Sequence, residues 1–503
     1  MGPKTVWSRV ALCGILLAAD TAVRAGQAPA DASPGRRFVT RHAIEIGGRP
    51  VAYEAIVEES FAANAKGERA SSLVSISYLR ADVRDSATRP VIFAFNGGPG
   101  ASSVWLHLGV LGPRRVALQD GVSDEETHPR TTPPFLLADN PDSPLDVADV
   151  VLFDPPGTGF SRLLNGADER EFFGVHQDAR VTSEFIQDWL TRHNRWHSPR
   201  FLVGESYGAV RAAVTAKLLM GGPTSSGRMD GVTVNGVILL GPSLGRGEQF
   251  GDTGLVNALP AFAATAWYHG KVPREGRTLE QHAQDARNFA AGDLLRAYYL
   301  GSALPPEQRS RLAGRLAALI GLSQDIVLER SLRIDARTFA SELLKREGRE
   351  LGLYDGRFTL PIAPSVRDPV ADDPAMAQYV PAFVAAINQY LSAELDARIG
   401  LPYNAIEFAK VNARWDYGGR DDFGADLAVA MRRSPGLRLF VGVGYFDLVT
   451  TFGSAEYTLS HAGVAPDRVT WRLYESGHMP YVGAASRSRL ARDLREFIAA
   501  ASR

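Results

Sequence analysis

Phe201-Leu202-Val203-Gly204-Glu205-Ser206-Tyr207-Gly208-Ala209-Val210-Arg211-Ala212-Ala213-Val214 is the stretch that decides the fold. Its first three residues are an apolar run suited to a buried strand, and those after Gly208 read as a helix. A glycine two residues either side of Ser206 lets the strand turn sharply into that helix, because side chains at 204 and 208 would clash in the turn. The result is a nucleophile elbow, with the Ser206 hydroxyl held exposed at the top of a parallel sheet. Five-residue matches with two glycines arise by chance; the strand before and the helix after make this one specific. The bland alternative is a glycine-flanked turn with a solvated serine, and the strand–helix context weighs against it.

A serine hydroxyl is a poor nucleophile near neutral pH and needs a base, which in turn needs an orienting acid. In a fold with this elbow the chain order is serine, acid, histidine. Leu437 to Val443 has a buried-strand pattern and runs into Gly444-Tyr445-Phe446-Asp447. Val469 to Leu473 is a further short strand and leads into Glu475-Ser476-Gly477-His478-Met479. Asp447 and His478 therefore follow the carboxyl ends of strands, where functional groups collect in open α/β sheets. The chain has ten histidines. His193 and His197 read as surface residues. His42, His128, His176, His269, His282 and His461 read as residues of polar loops or helices, and His107 precedes the serine. Asp467 rivals Asp447 but comes before its strand.

Asn96-Gly97-Gly98-Pro99-Gly100-Ala101-Ser102-Ser103 follows the apolar strand Pro90-Val91-Ile92-Phe93-Ala94-Phe95. Glycines expose backbone N–H groups there, and in an α/β-hydrolase the loop after this early strand donates half of the oxyanion hole. The other half is the N–H of the residue after the nucleophile, Tyr207. A phosphate cradle is the rival reading; it lacks the Gly-Lys-Ser/Thr sequence, and Pro99 removes a donor. Val150 to Ser161 is another strand that enters a glycine-proline turn.

Together, Asn96 to Ser103, Gly204 to Gly208 and Gly477-His478-Met479 resemble the serine carboxypeptidase family. Leu111-Gly112-Pro113 and Asn140-Pro141-Asp142-Ser143 are also similar to it, and the resemblance runs from about residue 85 to the C-terminus. The chain is read as a bacterial-type member. The resemblance implies hydrolysis of the peptide bond at a free C-terminus, with Ser206, Asp447 and His478 as the triad and Gly98 and Tyr207 as oxyanion donors. It implies that Asn96 and Glu205 bind the substrate's terminal carboxylate, since an amide and a protonated carboxyl both donate hydrogen bonds. Met479 would form a wall of the leaving-residue pocket. Three positions depart from the family. Val110 stands where a glutamate usually shares a hydrogen bond with the equivalent of Glu205. Ala101 stands for a cysteine, and Pro144 for a tryptophan.

The 503 residues are 45% hydrophobic and 22% charged, with a formal net charge of -1. That is ample for a large core and makes no electrostatic case for nucleic acid or an anionic membrane. Lys4 and Arg9 flank the apolar run Val10 to Ala19, and Val23-Arg24-Ala25 looks like a cleavage site. Residues 1–25 thus read as a signal peptide whose apolar run is too short to span a bilayer, and no membrane span is expected in the mature chain. Cys13 is the only cysteine and lies within it, so no disulfide holds the mature protein. Residues 26–37 read as a flexible leader. Export to the periplasm or beyond a bacterial cell is the expected location.

The expected architecture is the α/β-hydrolase fold, a mostly parallel central sheet flanked by helices. Its first part spans 38–244, beginning with antiparallel edge strands before residue 83. A mostly helical cap insertion spans 245–402, with Leu312, Leu316 and Ile320 on one helix face. The second part of the core spans 403–503, with a last strand-forming stretch of the first part at Val232 to Leu240 and a final helix at Ser488 to Ala500. No cofactor or metal is called for. The expected substrates are peptides with a free C-terminus. An esterase, acyltransferase or aminopeptidase on the same fold, or a peptide-binding protein with an inactive site, are the alternatives.

Overall fold

The computed structural model describes residues 35–118, 131–245, 251–363 and 368–503. The expected signal peptide, Cys13, residues 26–34 of the leader and His128 lie outside these residues. Arg36–Arg503 form one compact unit, and the expected insertion does not separate from it.

Three long strands open the unit: β1 (Arg37–Ile46), β2 (Arg49–Ala63) and β3 (Arg69–Arg80). Six shorter ones follow: β4 (Val91–Phe95), β5 (Asp149–Asp154), β6 (Arg200–Glu205), β7 (Gly236–Leu240), β8 (Arg438–Gly444) and β9 (Val469–Tyr474). They form one sheet in the order β1-β2-β3-β5-β4-β6-β7-β8-β9, with Arg162–Leu163 paired to β3. From β5 to β9 along this order every pairing is parallel, while β1, β2 and β3 pair antiparallel and β3 joins β5 antiparallel.

Strand side chains alternate between the two faces of a sheet, and both faces are covered, so the middles of the parallel strands are apolar. Phe93, Phe95, Leu202, Val237 and Leu239 enter one core, and Ile92, Ala94, Phe201, Val203, Ile238 and Leu240 enter the other. On the first face lie helices α1 (Val175–Arg192) and α2 (Gly208–Leu219), through Phe185, Trp189, Ala212 and Leu219. On the second lies the C-terminal helix Ala484–Ala501, through Leu490, Leu494, Phe497 and Ile498.

The segment between β7 and β8 divides between the two cores. Helices Gly251–Tyr268, Leu279–Phe289 and Pro306–Ile320 pack on the first, with Leu312, Leu316 and Ile320 buried together. Helix α3 (Pro374–Ala393) packs on the second through Tyr379, Phe383 and Tyr390.

Several boundaries differ from the sequence reading. β7 begins at Gly236 rather than Val232, because the Val232 N–H is taken by Leu219 O at the end of α2, 2.9 Å away. The last helix begins at Ala484 rather than Ser488. Its first turn hides Arg487 in an ion pair with Asp142 at 3.0 Å, so no apolar period marks it. His42 lies on β1, not in a loop or helix. Among the described residues no helix is long and apolar enough to cross a membrane.

Candidate active site

Ser206 sits between the end of β6 and the start of α2 with φ of 59°, the left-handed region that non-glycine residues enter rarely. A Cβ on Gly204 would lie 2.0 Å from Gly208 O, and one on Gly208 would lie 2.7 Å from Phe95 O. Both glycines are therefore demanded by close backbone approach. The Ser206 N–H donates to Leu240 O of the neighbouring strand at 3.0 Å, which ties the turn to the sheet.

Asp447 follows β8 and His478 follows β9, and parallel pairing of those strands brings the two loops together. His478 Nδ1 lies 2.8 Å from Asp447 Oδ2. Oδ1 accepts the Val449 and Thr450 N–H groups at 2.9 Å each, and the Thr450 hydroxyl donates to Oδ2 at 2.6 Å. Asp447 is wholly buried, yet both oxygens are satisfied as an ionised acceptor requires. An ionised Asp447 holds the ring proton on Nδ1 and leaves the Nε2 lone pair to take a proton. Burial disfavours the imidazolium, but the charge and hydrogen bond of Asp447 outweigh it and raise the His478 pKa. Tyr354 supports the ring edge-on at 5.5 Å, and its carbonyl accepts the His478 N–H at 2.7 Å.

The glycine loop after β4 meets the elbow so closely that a Cβ on Gly97 would lie 2.4 Å from Tyr207 N. Loop and elbow backbones are thereby pressed together where Gly98 and Tyr207 line the cavity. Beneath them Arg211 is buried, donating to Asn96 O at 2.6 Å and to the buried Asp178 at 2.8 Å. Asp154 fastens the far end of the loop through the Ser103 N–H at 2.8 Å.

Asn96 Nδ2 donates to Glu205 Oε1 at 2.6 Å, and Asn96 Oδ1 accepts the Leu106 N–H at 3.1 Å. Burial pushes the Glu205 carboxyl up to about 7; attraction to His478, the neighbouring Tyr481 hydroxyl and the hydrogen bond from Asn96 moderate the rise. A neutral carboxyl beside an amide is a pair of donors suited to a carboxylate.

Ser206, His478, Gly98, Tyr207, Asn96, Glu205 and Met479 line one cavity, and Asp447 lies behind His478. The remaining walls are largely apolar and come from Trp105, Met376, Tyr379, Ile406, Phe408 and Phe423. Tyr354, Met376 and Tyr379 belong to the 245–402 segment. Sequence reasoning missed Thr450, Tyr354 and the Arg211–Asp178 pair. Thr450 had one available signal, a hydroxyl three residues after a candidate acid; the others are joined only by the fold. Asp467 lies in a short 3-10 turn before β9 and does not line the cavity. His193 is not a plain surface residue: it stacks on Trp189 at 4.3 Å and bonds Glu58 at 2.9 Å. Among the described residues no group of three His, Cys, Asp or Glu side chains could hold a metal ion.

Residues 77–276 match the family model described as serine carboxypeptidase. A curated relative, serine carboxypeptidase-like 36 of Arabidopsis thaliana, is 27% identical over 174 residues, 34% of this chain. That match spans 32% of the relative's own length. Among solved structures, Kex1(delta)p, a prohormone-processing carboxypeptidase from Saccharomyces cerevisiae, superposes with a TM-score of 0.55 at 15% identity, over 89% of this chain and 91% of that one. Residues 77–276 are thus similar to the serine carboxypeptidase family, and the chain has an α/β-hydrolase fold.

Proposed function

We propose that this chain is a serine carboxypeptidase that removes residues from the free C-terminus of peptides. The observation that carries the reading is that the Ser206 elbow, His478 and the Asn96–Glu205 pair open onto one cavity. Asn96 and neutral Glu205 hold the terminal carboxylate, which sets the last peptide bond over Ser206. Ser206 Oγ attacks the carbonyl carbon as His478 Nε2 takes its proton. The Gly98 and Tyr207 N–H groups stabilise the oxyanion. The C–N bond breaks, His478 protonates the leaving amine, and the remaining peptide stays as an ester on Ser206. Water, deprotonated by His478, then releases it. Met479 walls the pocket for the departing residue.

The test is a pair of peptides identical except for a C-terminal amide on one. The free acid is expected to lose its last residue with a kcat/KM at least about a hundredfold higher, as a site built around a hydrogen-bonded group discriminates. Equal rates, or cleavage of esters alone, would favour the esterase or acyltransferase alternative.

The protein is further proposed to be exported, and to be a bacterial-type member. Support comes from Lys4 and Arg9 ahead of the apolar run Val10 to Ala19, and from Cys13 being the one cysteine of the chain. N-terminal sequencing of protein recovered outside the cytoplasm should read from residue 26.

A further inference from the structure

Glu205 makes one strong contact, through Oε1 to Asn96. Its other oxygen, Oε2, is buried and has no partner in hydrogen-bonding geometry, and the same holds for the buried hydroxyl of Tyr481. The two groups interact with each other, and the hydroxyl also lies beside the Asn96 amide. Two orphaned polar atoms side by side in a dry interior are costly apart and favourable together. Glu205 lines the cavity and Tyr481 does not.

The position of Tyr481 is built into the neighbouring turn. A Cβ on Gly109 would lie 2.3 Å from Tyr481 Cε2, so the ring occupies space that only a glycine leaves open. The next residue, Val110, is buried and offers no polar side chain to Glu205.

We infer that Tyr481 is a positioning residue for carboxylate recognition: its hydroxyl donates to Glu205 Oε2 and turns the acid proton toward the cavity. This rests on the carboxypeptidase reading. Oε1 is occupied by Asn96, so the proton of neutral Glu205 belongs on Oε2. A hydroxyl donating to that oxygen leaves the proton directed at the substrate's terminal carboxylate. Burial keeps the phenol protonated at every working pH, so the donor is permanent. The donation favours the ionised carboxyl more than the neutral one, so losing it raises the Glu205 pKa. The other titratable groups acting on Glu205 are His478 and Asp447, with Tyr379 on the same network.

The experiment measures KM against pH for wild type and Tyr481→Phe, using a free-acid peptide and its C-terminal amide, with p-nitrophenyl acetate as a substrate lacking a carboxylate. The phenylalanine variant is expected to raise KM for the free acid about fivefold on the acidic plateau, the effect of one neutral hydrogen bond. It should also move the alkaline rise of KM to higher pH and leave ester turnover unchanged. Gly109→Ala, which pushes the ring without altering its chemistry, should raise the same KM and serves if the first variant does not fold. Discrimination by wild type with an unchanged KM and limb in the variants would overturn the role of Tyr481 alone. Equal losses on peptide and ester would overturn it in favour of a purely structural role. Wild type that does not distinguish acid from amide would overturn the carboxypeptidase reading and this inference with it.

Discussion

Glu205 is the residue whose protonation the proposed chemistry depends on most. With its pKa pushed up to about 7, it is a neutral donor below that pH and a charge that repels a terminal carboxylate above it. KM for free-acid peptides should therefore rise as pH passes through about 7. The acid limb belongs to His478, which must be neutral and whose pKa is raised by Asp447. The two groups attract one another, so the bell reports the pair and should be narrow. Glu205→Gln, a permanent donor, should flatten the alkaline limb for peptides. Stability has its own sign. The folded protein holds a proton that an unfolded glutamate, with an ordinary value of 4.5, releases, so the contribution of Glu205 falls as pH rises from 4.5 to about 7. The loss is about 3 kcal/mol. Urea midpoints should thus show Glu205→Gln gaining on wild type between pH 5 and pH 8; an unchanged difference would mean that Glu205 titrates normally.

At the scale of elements, the site depends on two backbone segments pressed together. Gly97 allows the loop after β4 to touch the elbow at Tyr207 N, and a Cβ there would meet backbone atoms that cannot swing aside. Gly97→Ala should lower kcat about 10²- to 10³-fold, the effect of losing an oxyanion donor. The variant's circular dichroism should remain that of wild type, and a kcat within threefold of it would remove the loop from the mechanism. The elbow, the glycine loop and the strand-end positions of Asp447 and His478 were legible because each is written in a few consecutive residues. Thr450, Tyr354 and the Arg211–Asp178 pair were not, since their contacts span elements that only the sheet order brings together. The Tyr354 carbonyl meets the His478 N–H across more than a hundred residues of chain. Helix starts with buried polar first turns, as at Ser486 and Arg487, were misplaced for the same reason: an ion pair, not an apolar period, holds them.

For the whole molecule, the ends of the sheet strands carry the candidate site and the segment between β7 and β8 supplies much of the wall around it. Its division between the two cores was not legible, because an apolar stripe shows that a helix packs without showing on which face. Among the described residues, Glu205 and His478 are the acidic and basic side chains lining the cavity, and Trp105, Met376, Tyr379, Ile406 and Phe408 make its walls largely apolar. Peptides ending in apolar residues should therefore be preferred over those ending in Lys or Asp by about tenfold or more in kcat/KM, the worth of a buried apolar side chain. Profiling a mixed peptide library measures this, and a preference for charged ends would contradict the pocket. The central claim is that Ser206 forms an acyl-enzyme with His478 as base. Treatment with a fluorophosphonate followed by peptide mass spectrometry tests it most directly. The account predicts one adduct, on Ser206, absent in Ser206→Ala and formed at least about 10³-fold more slowly in His478→Ala. No adduct on Ser206, or peptide hydrolysis at the wild-type rate by Ser206→Ala, would contradict it.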